Sequence, residues 1–144
     1  MGNAKSTMNQ MLVTLFNHIL RIEERSLSFP GLSIREVHVI EAVAEAEDTR
    51  MTALAERLCV TMGSLSVAVS TLERKGYLTR ARRTDDRRVV DIHPTPRALE
   101  IQATHKMFHQ EMIAAIMAQL NPPELNILVK ALNSIDSYFM SKGY

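Results

Sequence analysis

The hydrophobic pattern of the chain changes its period at Gly76, and this change restricts the fold more than any other feature. Upstream of Gly76, apolar residues recur every three or four positions, which is typical of amphipathic helices. Downstream, residues 77–82 and 89–93 read as two strands joined by a polar turn, Arg83 to Arg88. The sequence therefore predicts a short antiparallel hairpin directly after a helix.

Two short helices are predicted just before this hairpin. Thr52 is expected to cap the first, which runs to about Cys59, and Thr61 to cap the second, which Gly76 terminates. Because only a couple of residues separate the two helices, they form a helix-turn-helix in outline. The following hairpin would be its wing.

Longer helices are predicted on either side of this unit. One covers about Ala4 to Leu27, and a capping box of Ser33 and Glu36 opens the next. After the hairpin, Thr95 and Pro96 begin a helix of about 25 residues, nearly 40 Å long.

A last helix begins at Asn121. The apolar stripes of the first helix and the last two helices are too long for the small central unit to cover, so we expect them to pack against a second copy. A monomer with a thick helical core is the alternative.

The predicted fold is mainly α: a winged helix-turn-helix with long N- and C-terminal dimerisation helices, in the order of four helices, two strands and two helices. It forms a single domain over residues 1–144, with a DNA-binding lobe at about 33–95 and dimerisation helices at about 4–30 and 96–142. The 46% apolar and 23% charged residues are typical of a globular protein.

Features that would direct the chain elsewhere are missing from the sequence. It has no apolar run of about 18 residues and no signal-peptide core near Met1 to Gln10, so we expect no membrane association and a cytoplasmic location. Its one cysteine, Cys59, is expected to be a buried small hydrophobe. No nucleotide loop, nucleophile elbow or metalloprotease motif is found, so no catalytic residue, required cofactor or metal is assigned, and no enzyme is predicted.

Positive charge is concentrated around the predicted hairpin. Residues 73–88 carry seven basic and three acidic side chains, a charge of +4, whereas the whole chain carries +1. A basic patch on a slightly acidic body is expected of a phosphate-binding surface, although a solvated charged hairpin would look the same. The basic residues are Arg74, Lys75, Arg80, Arg82, Arg83, Arg87 and Arg88.

The second helix of the helix-turn-helix is predicted to enter the major groove of duplex DNA. Small hydroxyl side chains allow close approach and can bond base edges or phosphates, and Val67 can contact a thymine methyl. The alternative is that these serines are only polar surface residues. The candidate contacts are Thr61, Gly63, Ser64, Ser66, Val67 and Ser70.

The wing supplies the second predicted contact. We expect Arg88 to enter the minor groove, where negative potential is enhanced, with Asp86 holding it and Arg87 or Arg83 on phosphate. The alternative is an internal ion pair between Asp86 and Arg88, which contributes little at a surface.

The run LERKGY at Leu72–Tyr77, followed by DRR at Asp86–Arg88 and by Thr95, resembles the signature of the MarR family of regulators. The resemblance covers nearly the whole chain and implies a dimeric winged-helix protein that binds DNA. It matches Asp86 and Arg88 to the wing-tip pair of the family. Many members have a base-contacting arginine at the position of Val67, so contacts there should differ.

Within that family, several stretches resemble the repressors of fatty-acid synthesis in Gram-positive bacteria. The stretches are RIEERSL, LSIREVHVIEAV, LCVTMGSLSVAVSTLERKGYLTR, DRRVVDIHPT and HKMFH. The resemblance implies a homodimeric repressor of fatty-acid biosynthesis genes, with long-chain acyl-acyl carrier protein as corepressor. Pro94 and Ala98 depart from the usual leucine and glycine, which should affect local geometry more than DNA binding.

His105 and His109 lie one helical turn apart, and this spacing can bind a metal. No carboxylate or thiolate set is obvious near them. They can instead line a pocket or, with Met107, contact acyl carrier protein or its acyl chain. The nine methionines suit an adaptable cavity for an acyl chain as well as an ordinary core.

The sequence thus predicts a transcriptional regulator that binds a pseudo-palindromic operator as a homodimer. A regulator that responds to a small aromatic molecule or to zinc, and a winged helix that binds only protein, are the alternatives.

Overall fold

The computed structural model of the chain describes residues 2–142. Four helices precede a two-stranded antiparallel sheet, and two helices follow it, as predicted. The elements are α1 (Gly2–Ser26), α2 (Ile34–Glu45), α3 (Met51–Arg57), α4 (Met62–Arg74), β1 (Leu78–Arg82), β2 (Val90–Pro94), α5 (Pro96–Met117) and α6 (Pro122–Met140).

The core lies between α2, α3, α4 and the two strands. Its largest side chains are aliphatic and fully buried, and the first turn of α5 closes it with Ala98. On α4 the buried residues are Leu65, Val69 and Leu72, the one apolar face of an amphipathic helix. The largest members are Ile40, Leu54, Leu65, Leu72 and Ile92.

Local sequence sets most of the helix starts. Ser33 and Glu36 form the predicted capping box of α2, and Asn121 and Glu124 form a second one at α6. Thr95 caps α5 by accepting from the amide of Ala98. These predicted caps are confirmed.

The predicted cap of α3 is wrong. Arg50, not Thr52, is the N-cap residue, and Thr52 lies within the helix. Arg50 has extended backbone because it forms a β-bridge with Asp91, and its amide donates to Asp48 Oδ1 at 3.1 Å. The helix therefore begins where this pairing with β2 ends.

Cys59 is exposed rather than buried, which corrects the sequence prediction. It has a positive φ of 52° just after α3, where its amide donates to Glu56 O and that of Val60 donates to Ala55 O. These two bonds form a Schellman motif, which turns the side chain at this position outward. Gly76, with φ 79°, terminates α4 in the same way, as predicted.

The terminal helices leave a large apolar surface uncovered. A thick helical core is not formed within the described residues 2–142 of one chain, because α6 has no buried residue there and α1 buries only Glu23. The exposed residues include six of the nine methionines, which the sequence had placed in a cavity or core. Among them are Met8, Met11, Leu15, Ile19, Ile113, Met117, Leu132 and Phe139.

Within residues 2–142, no single helix is long and apolar enough to cross a membrane. The bent pair of α3 and α4 is long and apolar enough by length and composition alone, and its Leu54, Leu65, Val69 and Leu72 belong to the core.

Candidate DNA-binding surface and a buried histidine–glutamate cluster

The candidate contacts on α4 begin at its N-cap, Thr61, and extend to Ser70 in its second half. All except Ser70 are exposed, and Val67 projects furthest, with 69% of its surface accessible. They stand opposite the buried Leu65, Val69 and Leu72, because the helix has one core face and one free face. The structure therefore presents the predicted residues as one surface.

Two of these hydroxyl groups also serve the helix itself. Thr61 Oγ1 accepts from the Ser64 amide at 3.2 Å and donates to Ser64 Oγ at 3.0 Å. At Gly63, an added Cβ would meet only Thr61 Oγ1, at 4.0 Å. This glycine is therefore not required for packing, and it leaves the backbone of the first turn open to a ligand.

Arg80 connects the wing to α4, a link that sequence reasoning missed. Its guanidinium lies 2.7 Å from Glu73 Oε2 and donates to Ser70 Oγ at 3.2 Å. Ser70 and Arg80 are ten residues apart, so only the folded hairpin brings them together. The ion pair holds β1 against the second half of α4.

Asp86 and Arg88 make the predicted contact at the tip of the wing. Asp86 Oδ1 accepts from the backbone amide of Arg88 at 3.0 Å and from its Nε at 3.2 Å. These hydrogen bonds, the one from the backbone first, lower the pKa of Asp86. The Arg88 side chain is 92% exposed and thus free to reach a groove.

The other wing arginines differ from each other. Arg87 is exposed, whereas Arg83 Nε lies 3.3 Å from Asp91 Oδ2 and 3.7 Å from Asp85 Oδ1. Of the two candidates for a phosphate contact, Arg87 is therefore the less engaged within the described chain.

The two histidines of α5 meet carboxylates from two other helices. His109 Nε2 lies 2.8 Å from Glu23 Oε1 of α1, and His105 Nε2 lies 3.4 Å from the same oxygen. Glu41 of α2 approaches His105 Nδ1 at 3.1 Å, and His38 Nε2 lies 3.4 Å from Glu23 Oε2. The carboxylates near the histidine pair, which are not obvious in the sequence, therefore come from α1 and α2.

This histidine–glutamate cluster is buried where α1, α2 and α5 meet. Glu23 and His105 are almost inaccessible, with side-chain exposures of 3% and 1%. Burial alone would lower the pKa of His105, but the close carboxylates of Glu41 and Glu23 raise it overall. The contact with His105 is the largest cause of the lowered pKa of Glu41.

The burial of His105 bears on the predicted contact of His105, His109 and Met107 with acyl carrier protein. A residue that is 1% exposed cannot contact a carrier protein directly in this conformation. Met107 is exposed on another face of α5, and His109 is about one-third exposed. A carrier contact therefore remains a prediction for Met107 and the edge of His109.

Known proteins match this arrangement. The MarR family profile matches residues 32–90. The crystal structure of Streptococcus pneumoniae FabT in complex with DNA superimposes with a TM-score of 0.89 at 33% identity, covering 95% of this chain and 98% of FabT. The S. aureus MepR–DNA complex has the same fold, with a TM-score of 0.77 at 16% identity, covering 92% of this chain and 97% of MepR.

Two Bacillus subtilis proteins are similar in sequence. The HTH-type transcriptional repressor YetL is 28% identical over 124 residues, which is 83% of this chain and 71% of YetL. The HTH-type transcriptional regulator YhjH is 29% identical over 97 residues, which is 67% of this chain, and the match spans 55% of the length of YhjH. These relatives regulate transcription, so the expectation that the chain is not an enzyme is confirmed. The chain belongs to the MarR family of DNA-binding transcriptional regulators.

Proposed function

We propose that the chain is a homodimeric repressor of fatty-acid-synthesis genes, with long-chain acyl-acyl carrier protein as its corepressor. The observation that carries this proposal is the 33% identity to FabT over 95% of the chain. Both motifs resemble those of the fatty-acid-synthesis repressors: Asp86–Arg88 lies at the tip of the wing, and Leu72–Tyr77 joins α4 to the first strand of the wing. Binding to chromosomal operators implies a cytoplasmic location.

The exposed apolar face of α1, α5 and α6 supports the homodimer. Side chains such as Phe16, Ile116 and Leu132 are between 42% and 63% exposed in one chain. An apolar surface of this extent is costly in water and is typical of an interface between subunits. A second copy would cover it with the same surface.

A dimer of this kind carries two copies of α4 and two wings. Its two-fold symmetry favours a pseudo-palindromic operator whose half-sites lie about one helical turn apart. Within each half, the exposed hydroxyls of α4 would bond base edges or phosphates and Val67 would contact a thymine methyl. Arg88 would reach into the neighbouring minor groove.

A corepressor can act by shifting the spacing of the two lobes. The first turn of α5 packs in the core of the DNA-binding lobe through Ala98, and its later turns carry the exposed apolar face. A ligand that prefers one arrangement of α5 and the lobe would shift the population toward it and so change operator affinity.

A groove between α2 and α4 is one candidate site for the acyl chain. It has a volume of about 400 Å³, in the range of ligand pockets, and its walls include Val39, Leu58, Val60 and Leu65. An occupant of this groove would touch the helix that carries the candidate base contacts.

Titration of the protein onto a promoter fragment of a fatty-acid-synthesis operon, with and without long-chain acyl-acyl carrier protein, tests this proposal. Unacylated carrier protein is the matched control. We expect salt-sensitive binding that tightens with the acylated carrier only. Promoter binding that is unchanged by the acylated carrier would support a DNA-binding regulator and refute this corepressor. Salt-insensitive binding, or no binding, would favour a winged helix that binds only protein.

A further inference from the structure

We propose that Glu23, His105 and His109 form a binding site for a divalent metal ion of the zinc class, with His38 as the fourth ligand. One atom of each of the first three residues lies within 4.8 Å of the other two. The proposal goes beyond the proposed function, because it requires neither the operator nor the carrier protein.

The spacing of the ligand atoms is that of a small tetrahedral site. The Nε2 atoms of His105 and His109 are 3.1 Å apart, and they lie 3.4 and 2.8 Å from Glu23 Oε1. Zinc–nitrogen and zinc–oxygen bonds of about 2.0–2.1 Å place tetrahedral ligand atoms about 3.3 Å apart. The three separations bracket this value.

The protonation chemistry of His105 and His109 also favours a cation between their Nε2 atoms. Two Nε2 atoms at 3.1 Å can form a hydrogen bond only when one carries the proton and the other its lone pair. Both also face Glu23 Oε1, which has no proton to donate when ionised. A metal ion would satisfy all three atoms at once through their lone pairs.

A second carboxylate stands where metal-binding histidines usually have one. Glu41 Oε1 lies 3.1 Å from His105 Nδ1, the ring nitrogen that faces away from the three converging atoms. Among the described residues this nitrogen is buried without an aligned hydrogen-bond acceptor. A small rotation of the His105 ring would align Nδ1–H with the Glu41 carboxylate. A hydrogen bond there would keep the proton on Nδ1 and leave the Nε2 lone pair free for the ion.

His38 completes the set from α2. Its Nε2 lies 3.4 Å from Glu23 Oε2, and its ring centre is 5.3 Å from that of His105. The imidazole is about one-third exposed, so it can rotate toward the ion and provides the path to solvent. Three imidazoles and one carboxylate suit zinc better than magnesium or calcium, which prefer oxygen ligands.

The site would join three helices with different tasks. Glu23 lies in α1, His38 in α2, and the histidine pair in α5. The ion would therefore fix α2, a core helix of the DNA-binding lobe, against two helices that carry the exposed apolar face. Metal occupancy is thus expected to stabilise the folded protein by mass action.

Metal binding to the purified full-length protein, stripped with a chelator, provides the test. Zn²⁺ would be titrated against a chromogenic chelator, and Co²⁺ would report the geometry through the intense visible bands of a tetrahedral site. We expect one ion per chain, a rise in Tm with Zn²⁺, and a tetrahedral Co²⁺ spectrum.

Three variants separate this site from adventitious binding. His109→Gln, at a partly exposed position, should keep its fold by circular dichroism and lose at least about 100-fold in affinity, while Glu41→Gln should lose about 10-fold or more. His93→Gln, on the exposed side of β2, should bind like the wild type. Absence of saturable binding at one ion per chain, or equal binding by His109→Gln and the wild type, would overturn the proposal.

Discussion

Asp86 holds both the backbone amide and the guanidinium of Arg88, at 3.0 and 3.2 Å from a single carboxylate oxygen. Within the wing this contact is a surface ion pair, which contributes little to folding. We therefore predict that its role is to direct the exposed Arg88 side chain toward DNA.

Asp86→Asn is expected to weaken operator binding several-fold. The amide retains an acceptor for the backbone of Arg88 but loses the charge that orients its guanidinium. Asp85→Asn is the matched control, because it removes the same charge from the same turn while its carboxylate contacts Arg83 instead. Fluorescence anisotropy on a labelled promoter fragment would measure both. If Asp86→Asn bound more tightly, as loss of a negative charge near phosphate alone would cause, the orienting role would be refuted.

Gly63→Ala should separate folding from DNA binding. Alanine has room at this position and loses less conformational entropy in a helix, so the free energy of unfolding should rise by about 0.5 kcal/mol. Operator affinity should fall, because the new methyl group would stand between the first turn of α4 and the DNA. Urea unfolding and anisotropy report the two effects. Unchanged affinity would remove Gly63 from the candidate contacts.

We expect opposite effects on stability from introducing a glycine at the end of α3 and from replacing the glycine at the end of α4. Cys59 and Gly76 occupy equivalent left-handed positions, which disfavour side chains by about 1–2 kcal/mol. Cys59→Gly should therefore raise the free energy of unfolding and Gly76→Ala should lower it, each by about 1 kcal/mol. Urea titrations at one fixed protein concentration would compare them. A destabilised Cys59→Gly would show that the exposed thiol makes a contact worth more than this strain.

Glu36 predicts a loss of stability in acid. Burial alone would raise its pKa, but hydrogen bonds and attraction from Lys75 Nζ, 2.7 Å away, together with the bonds from Ser33, lower it overall. Since the folded-state pKa is lowered, the contribution is complete above the unfolded value of about 4.3 and is lost as pH falls through the folded value.

Glu36→Gln should therefore flatten the decline in stability below about pH 5, measured by urea unfolding. Glu124→Gln is the control, because Glu124 holds the same capping-box position in α6 and its contacts in the described chain are to Asn121. Equal flattening by both variants would contradict the role of Lys75.

Most of the fold could be predicted because its signals are local. Ser33 with Glu36, Thr61, Thr95 and Asn121 each form a cap within three residues of sequence, so the pattern alone locates the helix starts. The wing followed from the change of period at Gly76. The cap of α3 could not be predicted, because Arg50 takes its extended conformation from a bridge to Asp91, 41 residues away.

The candidate sites also differ in whether local sequence could predict them. The contacts on α4 and the wing lie on two adjacent elements, and their exposure followed from helix and strand periodicity. The cluster around His105 could not be predicted from the i, i+4 histidine spacing alone, since Glu23, His38 and Glu41 come from two other helices. Glu23 is buried in a helix whose described side chains are mostly exposed. Its burial cannot be seen in the sequence, because nothing there distinguishes Glu23 from the exposed Glu24 beside it.

The salt dependence of operator binding by wild type and Arg88→Ala tests the central claim most directly. Arg88 is 92% exposed, so the variant should fold normally, and Lys130→Ala on α6 controls for the loss of one positive charge. Anisotropy titrations on the promoter fragment over a series of KCl concentrations should show binding about tenfold weaker or more for Arg88→Ala. The log–log salt slope should be smaller by about two per dimer, with Lys130→Ala unchanged. Wild-type affinity and slope in Arg88→Ala would contradict a wing that binds DNA.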